Sequence, residues 1–218
     1  MIELVNIEKS YRKKAGGRRQ VLDGISATFE RGHSYGLIGN NGAGKSTLLR
    51  IMGGAERPNY GVIRKDVQIS WPLGFSGSFN GSLSGLENLR FVCRIYGADI
   101  PAVTEFVHDF AELGKSILEP VKTYSSGMRQ RLAFALSMAI DFEVYLVDET
   151  LAVGDAAFQA KCHREFEARR AHSDVLLTSH SPQMLEEYCT RGAVLHEGRL
   201  TMFDSIKDAL DYYRGMNA

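Results

Sequence analysis

"GNNGAGKST", Gly39 to Thr47, is the stretch that decides the fold. It fits G-x-x-x-x-G-K-[ST] at every position. An apolar run, "YGLIG", leads into it, and "LLRIMGG", which reads as a helix, follows it. That strand–loop–helix context separates a phosphate-binding loop from a chance glycine-rich turn. Gly39, Gly42 and Gly44 let backbone N–H groups wrap a phosphate, with Asn40, Asn41 and Ala43 between them. The helix N-terminus adds a favourable partial charge. Lys45 is expected to reach the β- and γ-phosphates. Ser46 offers its hydroxyl to Mg²⁺, and Thr47 closes the motif.

Outward from the loop, two further runs read as parallel strands buried on both faces, because they are continuously apolar and end in polar residues. "EVYLVDE" (143–149) ends in Asp148, a carboxylate at the sheet edge where ligands of α/β sheets bind. Asp148 is expected to hold the Mg²⁺ shell. Glu149, the next residue, points elsewhere and is placed to orient or deprotonate an attacking water. "DVLLTSH" (174–180) ends in His180, and parallel order sets that histidine beside Asp148 and the γ-phosphate. These pieces alone describe a Mg²⁺-dependent ATPase or GTPase.

The rest of the chain reads as follows. "IELVNIEKSY" alternates like a first strand, "RKKAGGRRQ" is a basic loop, and "VLDGISATFERG" is a second strand pair or hairpin. "GVIRKDVQISW" is strand-like. Residues 84–119 are helical, with Leu86, Leu89, Val92 and Ile95 at helical spacing and a break at Pro101. "GMRQRLAFALSMAI" is a strongly apolar helix, "RGAVLHEGRLTMFDS" a closing hairpin and "SIKDALDYYRGM" a terminal helix. The fold class is therefore α/β. A parallel-sheet core, residues about 1–74 and 141–218, carries an N-terminal antiparallel β part. A small helical lobe spans about 75–140. All of it forms one domain, 1–218.

Bulk composition narrows the partners. The chain has 218 residues, with 26 Lys plus Arg against 26 Asp plus Glu, so nothing drives it globally toward nucleic acid. Cys93, Cys162 and Cys189 form no C-x-x-C pair and read as packing thiols. The opening "MIELVNIEKSY" lacks the pattern of a secretory signal. No apolar run reaches membrane-spanning length, so a membrane role is expected to come through a partner. The basic loop 12–19 reads first as a solvated hairpin tip. The sharper alternative is contact with anionic lipid headgroups or polymer.

One more segment narrows the class. "YSSGMRQRLAFALSMAI", Tyr124 to Ile140, resembles the signature segment of ABC-transporter ATPases, usually written L-S-G-G-Q. Ser125 and Gly127 hold the hydroxyl and close-approach glycine positions, with the small Ser126 between them. Tyr124, Ser126 and Met128 depart from the commonest form. The resemblance covers essentially the whole chain, in the family's order. Tyr11 resembles the aromatic residue that stacks on adenine, and "LAVGD", with Asp155, resembles the loop that crosses the dimer interface. His180 resembles the switch histidine.

The resemblance implies an ATP- and Mg²⁺-dependent motor. Two copies face head to tail, so that Ser125, Ser126 and Gly127 of one cap the ATP held by the other. With one phosphate loop and one signature per chain, a homodimer completes the sites. The implied partner is a polytopic permease dimer, with the ATPase peripheral on the cytoplasmic face of the inner membrane and no nucleic acid involved.

The family also places a Mg²⁺-sensing glutamine in "SWPLGFSGSFNG" (70–81), near Phe75, and here that glutamine is absent. Gln68 lies earlier, in a strand, while Ser76, Ser78 and Asn80 offer polar groups. Trp71, Phe75 and Phe79 either wall a groove that grips a permease helix or pack under the helical lobe.

"SWPLGFSGSFNGSLSGLEN" together with "ETLAVGD" resembles the branch that exports cell-surface polysaccharides, and within it the capsular-polysaccharide type. The chain ends soon after its closing hairpin, which favours that type over O-antigen or teichoic-acid exporters. Periplasmic and outer-membrane polysaccharide export proteins are then expected partners. A soluble ABC ATPase acting on ribosomes or DNA is the rival from another class. It would show paired ATPase domains or long coiled-coil insertions, and a basic face.

Overall fold

The structure is a computed structural model that describes residues 1–13, 16–73, 79–148 and 154–216. In chain order its strands are β1 (Ile2–Arg12), β2 (Arg18–Phe29), β3 (Tyr35–Ile38), β4 (Tyr60–Lys65), β5 (Ile69–Pro72), β6 (Val144–Asp148), β7 (Asp174–Thr178), β8 (Arg191–His196) and β9 (Arg199–Phe203). Its α-helices are α1 (Lys45–Met52), α2 (Gly85–Tyr96), α3 (Ile100–Ala111), α4 (Ser126–Ala139), α5 (Ala156–Arg170), α6 (Pro182–Tyr188) and α7 (Ile206–Met216). They group into two compact units. One comprises Met1–Pro72, Phe142–Glu149 and Ser173–Ala218; the other comprises Leu73–Asp141 and Thr150–His172.

In the first unit a six-stranded sheet runs in the order β5-β6-β7-β3-β8-β9. All neighbours pair parallel except the closing β8–β9 pair, which is antiparallel. This order sets β7 between β6, which ends in Asp148, and β3, which leads into the phosphate loop. Three strand ends therefore meet at one carboxyl edge. A three-stranded antiparallel sheet, β2-β1-β4, shares the core with it. Ile2, Leu4, Ile7, Leu22 and Ile25 pack in one cluster with Leu48, Leu49, Ile51 and Met52 of α1 and with Leu37, Leu146, Leu176 and Leu195 of the central strands. Burying these side chains is the main favourable term holding α1, and so the loop before it, in place.

Simple alternation in β1 first fails after Leu4, at one of three register shifts along the β1–β2 ladder. Ile2 and Leu4 point inward, but the next buried residue is Ile7. Asn6 sits at φ 50 and the ladder shifts register between Leu4 and Ile7. A bulge adds one residue there and returns the apolar set to the core face.

Three readings of the chain are refined. "VLDGISATFERG" is not a hairpin: β2 is one twelve-residue strand that starts at Arg18, inside the stretch read as basic loop. "GVIRKDVQISW" divides between two sheets, β4 pairing with β1 and β5 with β6. Residues 84–119 hold two α-helices, α2 and α3, and a 3-10 turn at Gly114–Leu118. The break falls at Gly97, in the left-handed region at φ 66, and Pro101 lies in the first turn of α3, where its missing N–H costs nothing.

The second unit centres on α4, whose residues from Leu132 to Met138 are all buried. Phe110 stacks on Phe134 with ring centroids 6.0 Å apart and meets Phe158 edge-on at 5.5 Å, joining α3, α4 and α5. On α2 the buried set is Gly85, Asn88, Leu89 and Cys93. Ile95, expected on the apolar face, is 60% exposed, as is Phe91 at 57%.

Candidate functional site

Gly39 directly follows β3 at a point where a Cβ would come within 2.4 Å of the Leu195 carbonyl, so only glycine lets the chain leave the sheet there. Gly44, at φ 112, precedes α1 with no side chain capping the helix. The first N–H groups of α1 therefore face the loop, ready for an anion. Lys45 is 6% exposed. Its Nζ donates to the carbonyls of Gly39 at 2.7 Å and Asn40 at 3.3 Å. The ammonium is folded over its own loop, held by main-chain oxygens of the motif itself. Ser46 is half-buried beside it, and Thr47 is buried.

Asp148 ends β6 opposite Thr178 in the β6–β7 register. The Thr178 hydroxyl donates to Asp148 Oδ1 at 2.9 Å, which orients the carboxylate and leaves Oδ2 for another ligand. Thr178 was missed from the sequence, although a lone hydroxyl closing an apolar strand is a visible signal. His180 follows two residues later, exposed at the same edge of the sheet. Glu149 lies outside the described residues. So do Phe75, Ser76 and Ser78 of the sensing segment.

Tyr11 lies near the end of β1 and remains 37% exposed. Its hydroxyl donates to Glu56 Oε1 at 2.7 Å and lies 3.4 Å from Thr47 Oγ1. Glu56 also takes Lys9 Nζ at 2.8 Å and Arg50 Nε at 3.1 Å, and Arg50 reaches Thr47 at 3.2 Å. Burial opposes ionisation of Glu56, yet hydrogen bonds from Lys9, Tyr11 and Arg50 hold its carboxyl below the ordinary range. This network, which no sequence motif announces, fixes an aromatic ring beside the phosphate loop. Two more contacts reach the loop from distant segments. Arg19 donates to the Gly42 carbonyl at 3.2 Å, and Tyr213 of α7 donates to Asn40 Oδ1 at 2.6 Å.

The donor set fits a Mg²⁺–nucleotide. Mg²⁺ takes one or two protein oxygens and completes its octahedron with phosphate oxygens and water. Here an oriented Asp148 carboxylate and the Ser46 hydroxyl stand in the unit that holds the anion-ready loop.

In the helical unit, Ser125 is the N-cap of α4, and its hydroxyl oxygen accepts from the Met128 N–H at 3.2 Å. Ser126 is exposed and Gly127 half-buried. Asp155 caps α5 through the Phe158 N–H at 3.0 Å and pairs with Arg131 at 2.7 Å. The capping bond first, then Arg131, hold its carboxyl below the usual range. Arg131 also pairs with Glu112 at 3.0 Å and lies over the Phe158 ring, so it ties α4 to the start of α5.

The remaining sequence candidates fall to structural roles. Trp71 is 7% exposed and packs edge-on against Phe142 within the sheet unit, not on a groove wall. Asn80 is tied to Asn88 at the entry to α2. Gln68 pairs through its backbone with Glu143.

A phosphate loop before a buried helix, a strand-end aspartate at the same edge of the sheet and a capped signature-type helix together define an ATP-binding cassette. The chain belongs to the ABC transporter family, whose sequence pattern matches residues 22–152. It is 47% identical to the capsule polysaccharide export ATP-binding protein CtrD of Neisseria meningitidis serogroup B, over 99% of this chain and 100% of that protein. It is 46% identical to the polysialic acid transport ATP-binding protein KpsT of Escherichia coli, over 98% of this chain and 99% of that one. The fold superposes with a TM-score of 0.71 on the dimeric ATP-binding cassette MJ0796 bound to ADP and Pi, at 19% identity, covering 94% of this chain and 99% of that one. Among the described residues, no helix is long and apolar enough to cross a membrane.

Proposed function

We propose that this protein is the ATP-hydrolysing subunit of a transporter that exports capsular polysaccharide across the cytoplasmic membrane. The observation that carries the polymer assignment is near-full-length identity of 46–47% to proteins named for capsule polysaccharide and polysialic acid export. The motor assignment rests on the loop geometry around Lys45 and Asp148.

ATP is the substrate. Tyr11 offers a ring face to adenine. The N–H groups from Gly39 through Asn40, Asn41, Gly42, Ala43 and Gly44 enclose the β-phosphate, and Lys45 pairs with β- and γ-oxygens. Ser46 and Asp148 hold Mg²⁺, which neutralises charge on the phosphates when bound. Glu149 orients or deprotonates the attacking water, and His180 contacts the γ-phosphate.

The signature of one copy completes the site of a second, so the working unit is a head-to-tail homodimer. Gly127 supports this reading. A Cβ built there meets nothing nearer than Ser125 Oγ at 4.0 Å, so the chain's own packing does not demand glycine. That leaves room above the residue for a close approach from outside the chain. Asp155 faces the same interface. The partners are a permease dimer and, beyond it, periplasmic and outer-membrane export proteins. The protein sits peripherally on the cytoplasmic face.

The test replaces the native protein with Glu149→Gln in source cells and measures ATPase activity and surface polymer. Loss of both, with polymer accumulating inside, is the expected result. Normal capsule alongside a dead ATPase would remove the capsule assignment and redirect attention to teichoic acid or O-antigen.

A further inference from the structure

Arg19 and Tyr11 are Cα partners in the β1–β2 ladder. Cross-strand partners project from one face of a sheet, and both of these side chains reach the phosphate loop. Tyr11 comes within 3.4 Å of Thr47 at one end of the motif, while Arg19 Nη2 donates to the Gly42 carbonyl at 3.2 Å. Contact at Gly42 is close: a Cβ built there would lie 3.4 Å from the guanidinium.

Arg19 is an exposed residue of β2. The carboxylate tied to this part of the ribbon, Glu56, is already shared by Lys9 and Arg50. Among the described residues no carboxylate pairs with Arg19. One neutral carbonyl uses one of its five N–H donors. A full positive charge thus rests on the rim of a loop whose N–H groups and Lys45 already favour an anion. A guanidinium presents paired donors in a rigid plane, which suits two phosphate oxygens better than a lone carbonyl.

We propose that Arg19 is a further nucleotide-binding residue, taking phosphate oxygens of the bound nucleoside triphosphate while Tyr11 takes its base. The inference rests on the ATP reading above. It assigns part of the basic loop to the nucleotide in place of lipid or polymer. Arg19 reads charge, so ATP and ADP are the ligands it strengthens, and adenosine is not.

The test titrates purified full-length wild type and the variants Arg19→Ala, Arg19→Gln and Arg19→Lys with ATP, ADP and adenosine, at low and high salt. Arg19→Gln keeps a neutral donor for the Gly42 carbonyl and discards the charge. It is expected to raise the Kd for ATP and ADP about tenfold, the size of one charge-assisted hydrogen bond. Adenosine affinity should stay unchanged, and salt should weaken ADP binding less than in wild type. Arg19→Lys should recover part of the loss. Wild-type affinity in Arg19→Gln would overturn the proposal and leave Arg19 as a brace on Gly42. An equal loss for adenosine and ATP would overturn it too, pointing to a displaced ribbon. Failure of the wild type itself to bind ATP would remove the ATP reading, a result distinct from either.

Discussion

The Tyr213 hydroxyl donates to Asn40 Oδ1 at 2.6 Å, joining the C-terminal helix to the second residue of the phosphate loop. Asn40 is also gripped at its carbonyl by Lys45. The Ala43 N–H also donates to that carbonyl at 3.1 Å, so Tyr213 is one of several contacts that shape this turn, and the one that reaches it from α7. Tyr213→Phe removes one neutral hydrogen bond, worth about 1 kcal/mol. It should raise the KM for ATP several-fold while kcat stays within about twofold, as read by steady-state ATPase kinetics. A change in kcat alone would contradict that role.

Lys45→Ala should abolish detectable ATP binding while the protein stays folded. The amine is buried against two carbonyls that belong to its own loop and not to the hydrophobic core. Equilibrium binding of a fluorescent ATP analogue, alongside a thermal melt, measures both. Retained affinity would move the phosphate site elsewhere.

Gly127→Ala separates fold from function. The added methyl meets open space, and alanine is the better helix former, so stability should hold or rise by up to about 1 kcal/mol. On the proposed head-to-tail arrangement, ATPase activity should nevertheless fall by at least tenfold, because the methyl would then stand between Gly127 and the partner copy's nucleotide. Denaturant melts and turnover on the same sample decide it. A fully active variant would argue against a shared site.

Stability of the helical unit should decline as acid reaches its carboxylates. Asp155 and Glu112 both titrate below their ordinary values, Asp155 first through the Phe158 capping bond and Glu112 first through Lys161. A depressed folded-state pKa means the stabilisation is complete above the unfolded value, near pH 4, and is lost as pH falls through the folded one. Asp155→Asn should flatten that acid dependence in a series of melts between about pH 6 and 3. An unchanged slope would show that ionised Asp155 contributes to the acid dependence through neither the Phe158 cap nor the Arg131 link.

Cys162 should resist alkylation in the native protein. Burial pushes its thiol up to about 12, so at pH 8 roughly one molecule in ten thousand carries the thiolate. Mass spectrometry after iodoacetamide treatment, with and without denaturant, should find it labelled only when the chain is unfolded.

Much of the site is local in sequence and was legible there. A phosphate loop is a run of consecutive backbone N–H groups ahead of a helix, so Gly39 to Thr47 carry their own geometry. A continuously apolar strand ending in Asp148 likewise announces a buried strand with a carboxylate at its tip. The helical start at Ser125 follows from a serine cap three residues before the Met128 N–H it satisfies.

What tertiary structure alone decided is which distant residues share that site. Arg19 reaches Gly42 only because the β1–β2 register pairs it with Tyr11, and a bulge at Asn6 helps set that register. Thr178 orients Asp148 because β7 lies between β6 and β3, an order that no run of residues encodes by itself. Glu56, Arg50 and Lys9 meet Tyr11 through side chains drawn from the β1 strand, from α1 and from the turn after it. Tyr213 meets Asn40 across 173 positions of chain. Local periodicity decides each element, but pairing between elements is settled by burial summed over the whole core. The residues that brace the phosphate loop belong to that second kind of information.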